Sequence, residues 1–157
     1  MDQWVNPGRQ ALLAALSAQN AIQSGESVLK HIETHAADVL LTQTVALKLK
    51  KPVRFPFLDF STEDRREAAL RAELAVNAIW SGALYQGVLP VLKEGTGYRL
   101  GTAGESDRAV DWALKMHRFD AETEFSNWQH VGTEQEAHIR AIARRVAQVQ
   151  CELPVLD

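Results

Sequence analysis

The sequence predicts a mixed α+β fold: a twisted antiparallel sheet with one helix packed against it and a further helix near each end of the chain. Three observations support this prediction. Residues 7–25 and 133–149 have apolar side chains at helical spacing. Residues 27–50 consist of short runs rich in valine, leucine and threonine, which is typical of adjacent strands. A glycine-containing turn at residues 93–97 separates two more apolar runs, as in a β-hairpin.

The length and composition favour one domain. A chain of 157 residues with 46% hydrophobic residues is long enough to bury a single core. We therefore expect one domain over 1–157, divided into an N-terminal helix (1–25), a sheet-containing body (26–119) and a helical tail (120–157). The 17 basic and 20 acidic residues give a net charge of −3, which argues against nucleic acid or an acidic membrane surface as a partner.

The cysteine content and the N-terminus indicate a cytoplasmic protein. Cys151 is the only cysteine and has no partner for an internal disulfide, as expected in a reducing compartment. The apolar run at residues 11–16 is too short to span a bilayer, and Asp2 does not fit the positive start of a signal peptide.

The N-terminal helix is expected to begin at Asn6 and Pro7. Asparagine caps free helix amides, and proline at the first helical position loses no needed donor. Apolar residues at Leu12 and Leu16 then mark one face, and we expect the helix to end near Gly25.

The strand region 27–50 is expected to break into three antiparallel strands at residues 36–38 and 42–44. Successive strand side chains point to opposite faces of a sheet. One face of the third strand then carries Ala46, Lys48 and Lys50, and the other carries Val45, Leu47 and Leu49. The sequence thus predicts one apolar face and one face that presents amines.

The histidines do not form a recognisable metal site. His31 and His35 lie in HIETH, which lacks the glutamate next to the first histidine that the H-E-x-x-H zinc motif requires. On a strand they share a face but are too far apart to hold one ion. His117, His130 and His138 have no metal-ligand spacing, so we expect no structural zinc.

The segment after the third strand leads into a helix. Prolines make residues 51–56 a connector and not a central strand. Ser61 and Asp64 resemble a capping box for a helix from Thr62 to about Trp80. Its apolar stripe is predicted to be Ala69, Ala72, Val76 and Ile79, with Glu73 at the edge. A carboxylate beside a buried face needs a partner.

The remaining elements are a hairpin, a strand and a helix. Residues 88–92 and 98–100 form the hairpin, a polar loop covers 101–108, and 110–116 is another strand. Helical periodicity follows Phe119, with a Thr133 and Glu136 capping box and a stop near Pro154. Trp80, Trp112 and Trp128 are expected to be packing residues, whereas Trp4 is expected to be loose near the N-terminus.

Several stretches taken together resemble a known family. They are HIETHAADVLL, VALKLKKPV, FLDFSTEDRR, RAELAVN, GVLPV and VDWALKMHRFD. In this order they are similar to the N-terminal lobe of the bacterial aminoglycoside-phosphotransferase-like enzymes, a kinase-fold family often fused to a P-loop ATP-binding domain. The resemblance covers residues 11–120 and, more loosely, the last helix. It implies a kinase-like N-terminal lobe with ATP bound under its sheet.

The resemblance also implies roles for particular residues. Lys48, in VALK, looks like the lysine that holds the nucleotide phosphates, because a V-A-I-K strand carries that lysine in kinases. Glu73 looks like its helix partner, and Lys50 is the alternative lysine. Met116 and His117, within KMHR at 115–118, resemble the hinge strand whose backbone binds adenine. For Lys48 the alternative is a solvated strand lysine, and for Glu73 a surface acid paired with Arg66 or Asn77.

Two departures from the family pattern limit the activity that we expect. No G-D-x-H or H-x-D run follows Phe119, so the catalytic loop and the magnesium-binding aspartate of a C-terminal lobe are not found. The turn expected over the phosphates, residues 34–38, contains no glycine. We therefore expect a nucleotide-binding lobe that is inactive alone and needs a complementary C-lobe. The alternative is a noncatalytic module for protein interaction or self-association.

Overall fold

The computed structural model describes residues 7–18, 21–22, 25–81, 83–120 and 133–153. The fold is α+β, with a curled antiparallel sheet of six strands and several helices. The elements in chain order are α1 (Pro7–Ser17), β1 (Lys30–Glu33), β2 (Ala37–Leu41), β3 (Val45–Lys50), β4 (Arg54–Phe55), β5 (Leu58–Asp59), α2 (Glu63–Ser81), β6 (Tyr85–Glu94), β7 (Gly97–Leu100), a 3₁₀ helix (Ala103–Arg108), β8 (Ala109–His117) and α3 (Thr133–Glu152).

The sheet has the strand order β1-β2-β3-β8-β6-β7, and β4 pairs with β5 in a separate two-stranded ribbon. The chain divides into two compact units, Met1–Arg118 and Phe119–Asp157. The first contains the sheet, α1 and α2, and the second contains α3. The expectation of one domain over 1–157 stays a prediction. Within the described residues, no helix is both long enough and apolar enough to cross a membrane.

The first unit has a helix on each face of its sheet. Leu12 and Leu16 of α1 pack in a buried cluster with side chains from five strands, among them Leu47, Leu49 and Ala113. Leu70 of α2 packs in a second cluster with Val88, Trp112 and Leu114. Neighbouring residues of one strand point to opposite faces. Because Trp112 and Ala113 are neighbours on β8, α1 and α2 must lie on opposite sides of the sheet.

The predicted alternation along β3 is confirmed. Val45, Leu47 and Leu49 are buried on the α1 side. Lys48 and Lys50 contact α2 on the other side. The sequence misplaced one turn, however, because Ala37 and Asp38 already belong to β2. The Thr34 hydroxyl accepts a hydrogen bond from the Ala37 amide at 3.0 Å, and this side-chain turn ends the reversal at Ala36.

The N-terminal helix is shorter than predicted, because α1 ends at Ser17 and not near Gly25. The Ala18 amide donates to the carbonyl of Ala15, a tightened final turn that is common where a helix stops. Ala21 and Ile22 are buried, and the Ala21 carbonyl accepts from the Leu100 amide of β7. After α1, the chain therefore runs along β7, the edge strand of the sheet. Asn6, the predicted cap, lies outside the described residues.

The predictions for α2 are wrong in its cap and its buried stripe. The Ser61 hydroxyl binds Asp59, and Thr62 accepts from the Arg65 amide at 3.4 Å. The predicted stripe is largely solvent-facing: Val76 is 58% exposed and Ile79 is 42% exposed. The helix instead buries Arg66 and Leu70 against β6 and β8, with Leu74 and Glu73 half-buried. An alanine-rich helix offers two apolar stripes, and packing against the sheet selects one.

The remaining elements follow the prediction with adjusted ends. The connector at residues 51–56 contains β4, which stays outside the main sheet as its prolines require. The β6–β7 hairpin turns at Gly95, whose φ of 58° favours glycine. Trp112 is buried as predicted, but Trp80 is 42% exposed. Trp4, Trp128 and the side chain of Thr133 lie outside the described residues.

Candidate functional site

Strand β3 and helix α2 bring together Lys48, the lysine predicted to hold the nucleotide phosphates, its alternative Lys50, and Glu73, the predicted helix partner. Lys48 Nζ lies 2.6 Å from Glu73 Oε1, and Lys50 Nζ lies 2.7 Å from Glu73 Oε2. Lysines two positions apart on a strand share a face at a spacing of roughly 7 Å. A single carboxylate between them can therefore accept one hydrogen bond on each oxygen. We call these three residues the lysine–glutamate cluster.

The cluster is half-buried, and its carboxylate is ionised at neutral pH. The side chains of Lys48, Lys50 and Glu73 are 27%, 13% and 19% exposed. Burial raises the pKa of the Glu73 carboxyl, but the hydrogen bonds from Lys48 and Lys50 outweigh burial, so its pKa lies below the ordinary value. Two ammonium groups and one carboxylate leave the cluster with one positive charge.

Two aromatic side chains border the cluster. The Lys50 ammonium lies 5.3 Å from the centre of the Phe60 ring, a cation–π contact. Burial raises the pKa of the Tyr85 phenol, and the negative charge of Glu73 raises it further. The Tyr85 hydroxyl is therefore protonated at neutral pH. Phe60 thus contacts Lys50, and neither aromatic neighbour adds negative charge to the cluster.

The structure decides between the alternative pairings of Glu73. Arg66 donates from Nε to Asp111 Oδ1 at 2.7 Å and is therefore held by a different carboxylate. The alternative interpretation, in which Glu73 is a surface acid paired with Arg66, is therefore wrong. Lys48 is likewise not a freely solvated strand lysine, because it makes an ion pair with a half-buried partner.

The predicted hinge residues lie at the end of β8. Met116 faces the α2 side and packs against the cluster of Leu70 and Trp112. The His117 amide donates to the carbonyl of Leu84 at 2.8 Å, and the Arg118 amide donates to that of Thr44 at 2.7 Å. These two amides are therefore engaged by backbone carbonyls next to the strands and are not available to an adenine ring.

Two backbone amides of the turn expected over the phosphates are already engaged in hydrogen bonds. The amides of Thr34 and Ala37 are both used inside the turn, donating to the Ala37 carbonyl and the Thr34 hydroxyl. Asp38 pairs with Leu49 across the sheet and so faces the α1 side, away from Lys48. The Asp38 side chain, at the end of this turn, therefore lies on the opposite face of the sheet from the lysine–glutamate cluster.

A buried ionic network, in which arginines of α1 and α2 meet aspartates of the sheet, was not predicted from the sequence. Arg9 of α1 contacts Asp38 Oδ2 and Asp111 Oδ2, each at 2.8 Å. Arg66 binds the other oxygen of Asp111, and His31 Nε2 lies 2.9 Å from Asp38 Oδ1. Both aspartates are almost fully buried. The signal was present in the sequence, because Asp38 and Asp111 alternate in phase with apolar residues that face the core.

No metal centre is found in the part of the chain that the structure describes, since it contains no group of three or more histidine, cysteine, aspartate or glutamate side chains arranged to hold an ion. The expectation that there is no structural zinc stays a prediction. Cys151 is exposed near the end of α3.

Comparison with known proteins gives no family assignment. No protein-family model, no curated protein and no solved structure matches this chain.

Proposed function

We propose that the first unit is a nucleotide-binding lobe of an aminoglycoside-phosphotransferase-like kinase, in which Lys48 binds the phosphates and Glu73 orients it. The observation that carries the proposal is the 2.6 Å contact between Lys48 Nζ and Glu73 Oε1. Kinases use an ion pair between a lysine on the third strand and a glutamate on the following helix. Here the lysine is on β3 and the glutamate is on α2, the first long helix after that strand.

The cluster has the chemistry of a phosphate site and not of a metal site. A lysine ammonium binds phosphate as a compact point charge. Both oxygens of Glu73 accept hydrogen bonds from lysine ammonium groups, whose positive charges repel Mg²⁺ from this carboxylate. In this proposal the magnesium of ATP is held mainly by groups outside the lysine–glutamate cluster, on a complementary C-lobe.

The proposed function is binding without phosphoryl transfer by this chain alone. Phosphoryl transfer depends on aspartate-bound metal and on a positioned acceptor. The sequence after Phe119 contains no G-D-x-H or H-x-D run that supplies these aspartates. The proposal places base recognition on groups other than the engaged amides of His117 and Arg118, and the half-buried Met116 side chain is the apolar candidate.

The test is a titration with magnesium and ATP, followed by amide NMR signals. In the native sequence the Lys48 and Glu73 signals should shift, and Lys48→Met should weaken binding by roughly tenfold or more, because one ammonium–phosphate contact is lost. Lys51→Met is the matched control, since Lys51 pairs with Glu33 and not with Glu73. Unchanged signals at millimolar nucleotide would contradict the proposal.

A second candidate function is self-association through α2. Val76, Ile79 and Trp80 are exposed on the C-terminal half of this helix, and residues three and four apart form one face. A contiguous apolar face favours a protein contact. Sedimentation should show concentration-dependent dimers that Val76→Ser combined with Ile79→Ser abolishes. A monomer of the native sequence at high concentration would exclude this function.

A further inference from the structure

The lysine–glutamate cluster contains one more amine than a lysine–glutamate ion pair needs. Lys48 alone would neutralise Glu73 and leave no net charge. Lys50 binds the second oxygen at 2.7 Å, so that the three side chains carry one positive charge in a half-buried setting. A charge that is partly shielded from water interacts more strongly with an anion than a charge in bulk solvent.

The acidic side chains that flank β3 and α2 do not cancel this charge, because they have cations of their own. Asp59, just before α2, is paired with Arg65 and Arg54. Glu33 of β1 is paired with Lys51. In the described residues, Glu73 is thus the carboxylate with which Lys48 and Lys50 make salt bridges.

The two lysines are not equivalent. Lys50 is the less exposed, at 13% against 27% for Lys48, and it also lies over the Phe60 ring. Phe60 is itself buried. Lys50 is therefore held on two sides, whereas Lys48 is the amine with more access to solvent. Lys50 can keep Glu73 neutralised while Lys48 turns part of its hydrogen bonding to a ligand.

We propose that Lys50 is a positioning residue that gives this site affinity for a triphosphate group in the absence of a divalent metal. The proposal rests on the proposed nucleotide site and extends it to a ligand class: the metal-free triphosphate, whether inorganic or carried by a nucleoside. Lys50 neutralises Glu73, so the positive charge of Lys48 is available to the phosphate oxygens.

The experiment measures binding of inorganic tripolyphosphate and of ATP, each in EDTA, by calorimetry at low salt. The native sequence should bind both ligands, and Lys50→Met should weaken both by roughly tenfold, because one charge is lost. Lys50→Arg should retain binding because it keeps that charge. Lys51→Met is the matched control and should bind like the native sequence. Circular dichroism establishes that each variant is folded.

The outcomes separate this inference from the proposed function. If the native sequence binds magnesium and ATP but binds neither ligand in EDTA, the inference is wrong and the proposed function stands. The same holds if Lys50→Met binds like the native sequence in EDTA, or if Lys51→Met loses as much affinity as Lys50→Met. If the native sequence binds no ligand with or without magnesium, both proposals are wrong.

Discussion

Arg66 of α2 donates from Nε to Asp111 Oδ1 of β8 at 2.7 Å, and both side chains are more than nine-tenths buried. The other oxygen of Asp111 binds Arg9 of α1 at 2.8 Å. Because α1 and α2 pack on opposite faces of the sheet, one carboxylate links all three layers of the first unit. The Asp111 carboxylate also accepts from the Trp112 amide, which fixes its orientation.

Replacing Asp111 should be severely destabilising. Asp111→Asn leaves two buried guanidinium groups without their shared anion, and removing one partner of a buried ion pair costs about 3–5 kcal/mol. The free energy of unfolding from urea titration measures the effect. Asp107→Asn is the control, because Asp107 lies on the exposed 3₁₀ helix and should change stability by less than about 0.5 kcal/mol. A loss below about 1 kcal/mol for Asp111→Asn is incompatible with the network as described.

Replacing Arg9 should loosen α1 more than α2. Arg9→Met removes the contacts to Asp38 and Asp111 at once, whereas Arg66 still neutralises Asp111. Hydrogen exchange should therefore accelerate at α1 amides well before it does at α2 amides. Arg9→Lys should restore only part of the protection, since an ammonium cannot reproduce the forked contacts of a guanidinium. Equal acceleration in both helices would show that Arg9 does not specifically hold α1.

The face of α2 that packs on the sheet can be tested by cavity formation. Leu70 is fully buried beside Trp112 and Leu114, so Leu70→Ala should lower the free energy of unfolding by about 2–5 kcal/mol. Val76→Ala also shortens an apolar side chain, but at an exposed site, and should cost less than about 0.5 kcal/mol. If Val76→Ala lowered the free energy of unfolding more than Leu70→Ala, the buried face of α2 would be the stripe that the sequence predicted.

The stability contributed by Glu73 should depend on pH. Its pKa in the folded protein lies below the ordinary value of 4.5. Burial raises this pKa, but hydrogen bonds from Lys48 and Lys50 lower it by more. The contribution is therefore complete above the unfolded pKa and is lost as pH falls through the folded pKa. Glu73→Gln should cost about 2 kcal/mol at neutral pH, and the difference from the native sequence should shrink in acid. A difference that is constant from pH 7 to pH 3 would contradict this assignment.

The half-buried Glu105 carboxyl should titrate at an unusually low pH. Hydrogen bonds from Arg99 and from the Thr102 amide lower its pKa from 4.5 to about 2. NMR titration of the side-chain carboxyl measures this value directly. Arg99→Met should return the pKa towards 4.5, whereas Arg108→Met should change it little, because Arg108 lies 3.7 Å away in a looser pair. If the pKa of Glu105 stays at about 2 in Arg99→Met, a group other than Arg99 lowers it.

The sequence predicted most elements because local signals agreed with the final packing. The alternation of VALKLK needs only the two-residue period of a strand to separate Lys48 and Lys50 from Leu47 and Leu49. The hairpin at Gly95 and the helix after residue 132 follow from turn chemistry and helical periodicity in the same way. The closeness of Lys48 and Glu73 was expected from family resemblance, since no local rule connects residues so far apart in the chain.

Local pattern by itself determined the α+β class and the face of β3 on which the amines lie, since strand geometry alone sets that alternation. Only the tertiary structure decided that Leu70 and not Val76 is buried, that one carboxylate receives both lysines, and that Arg9 and Arg66 meet at Asp111. The physical reason is that a side chain's partner in these cases comes from a distant element. Burial and charge pairing choose that partner only when the helices pack on the sheet.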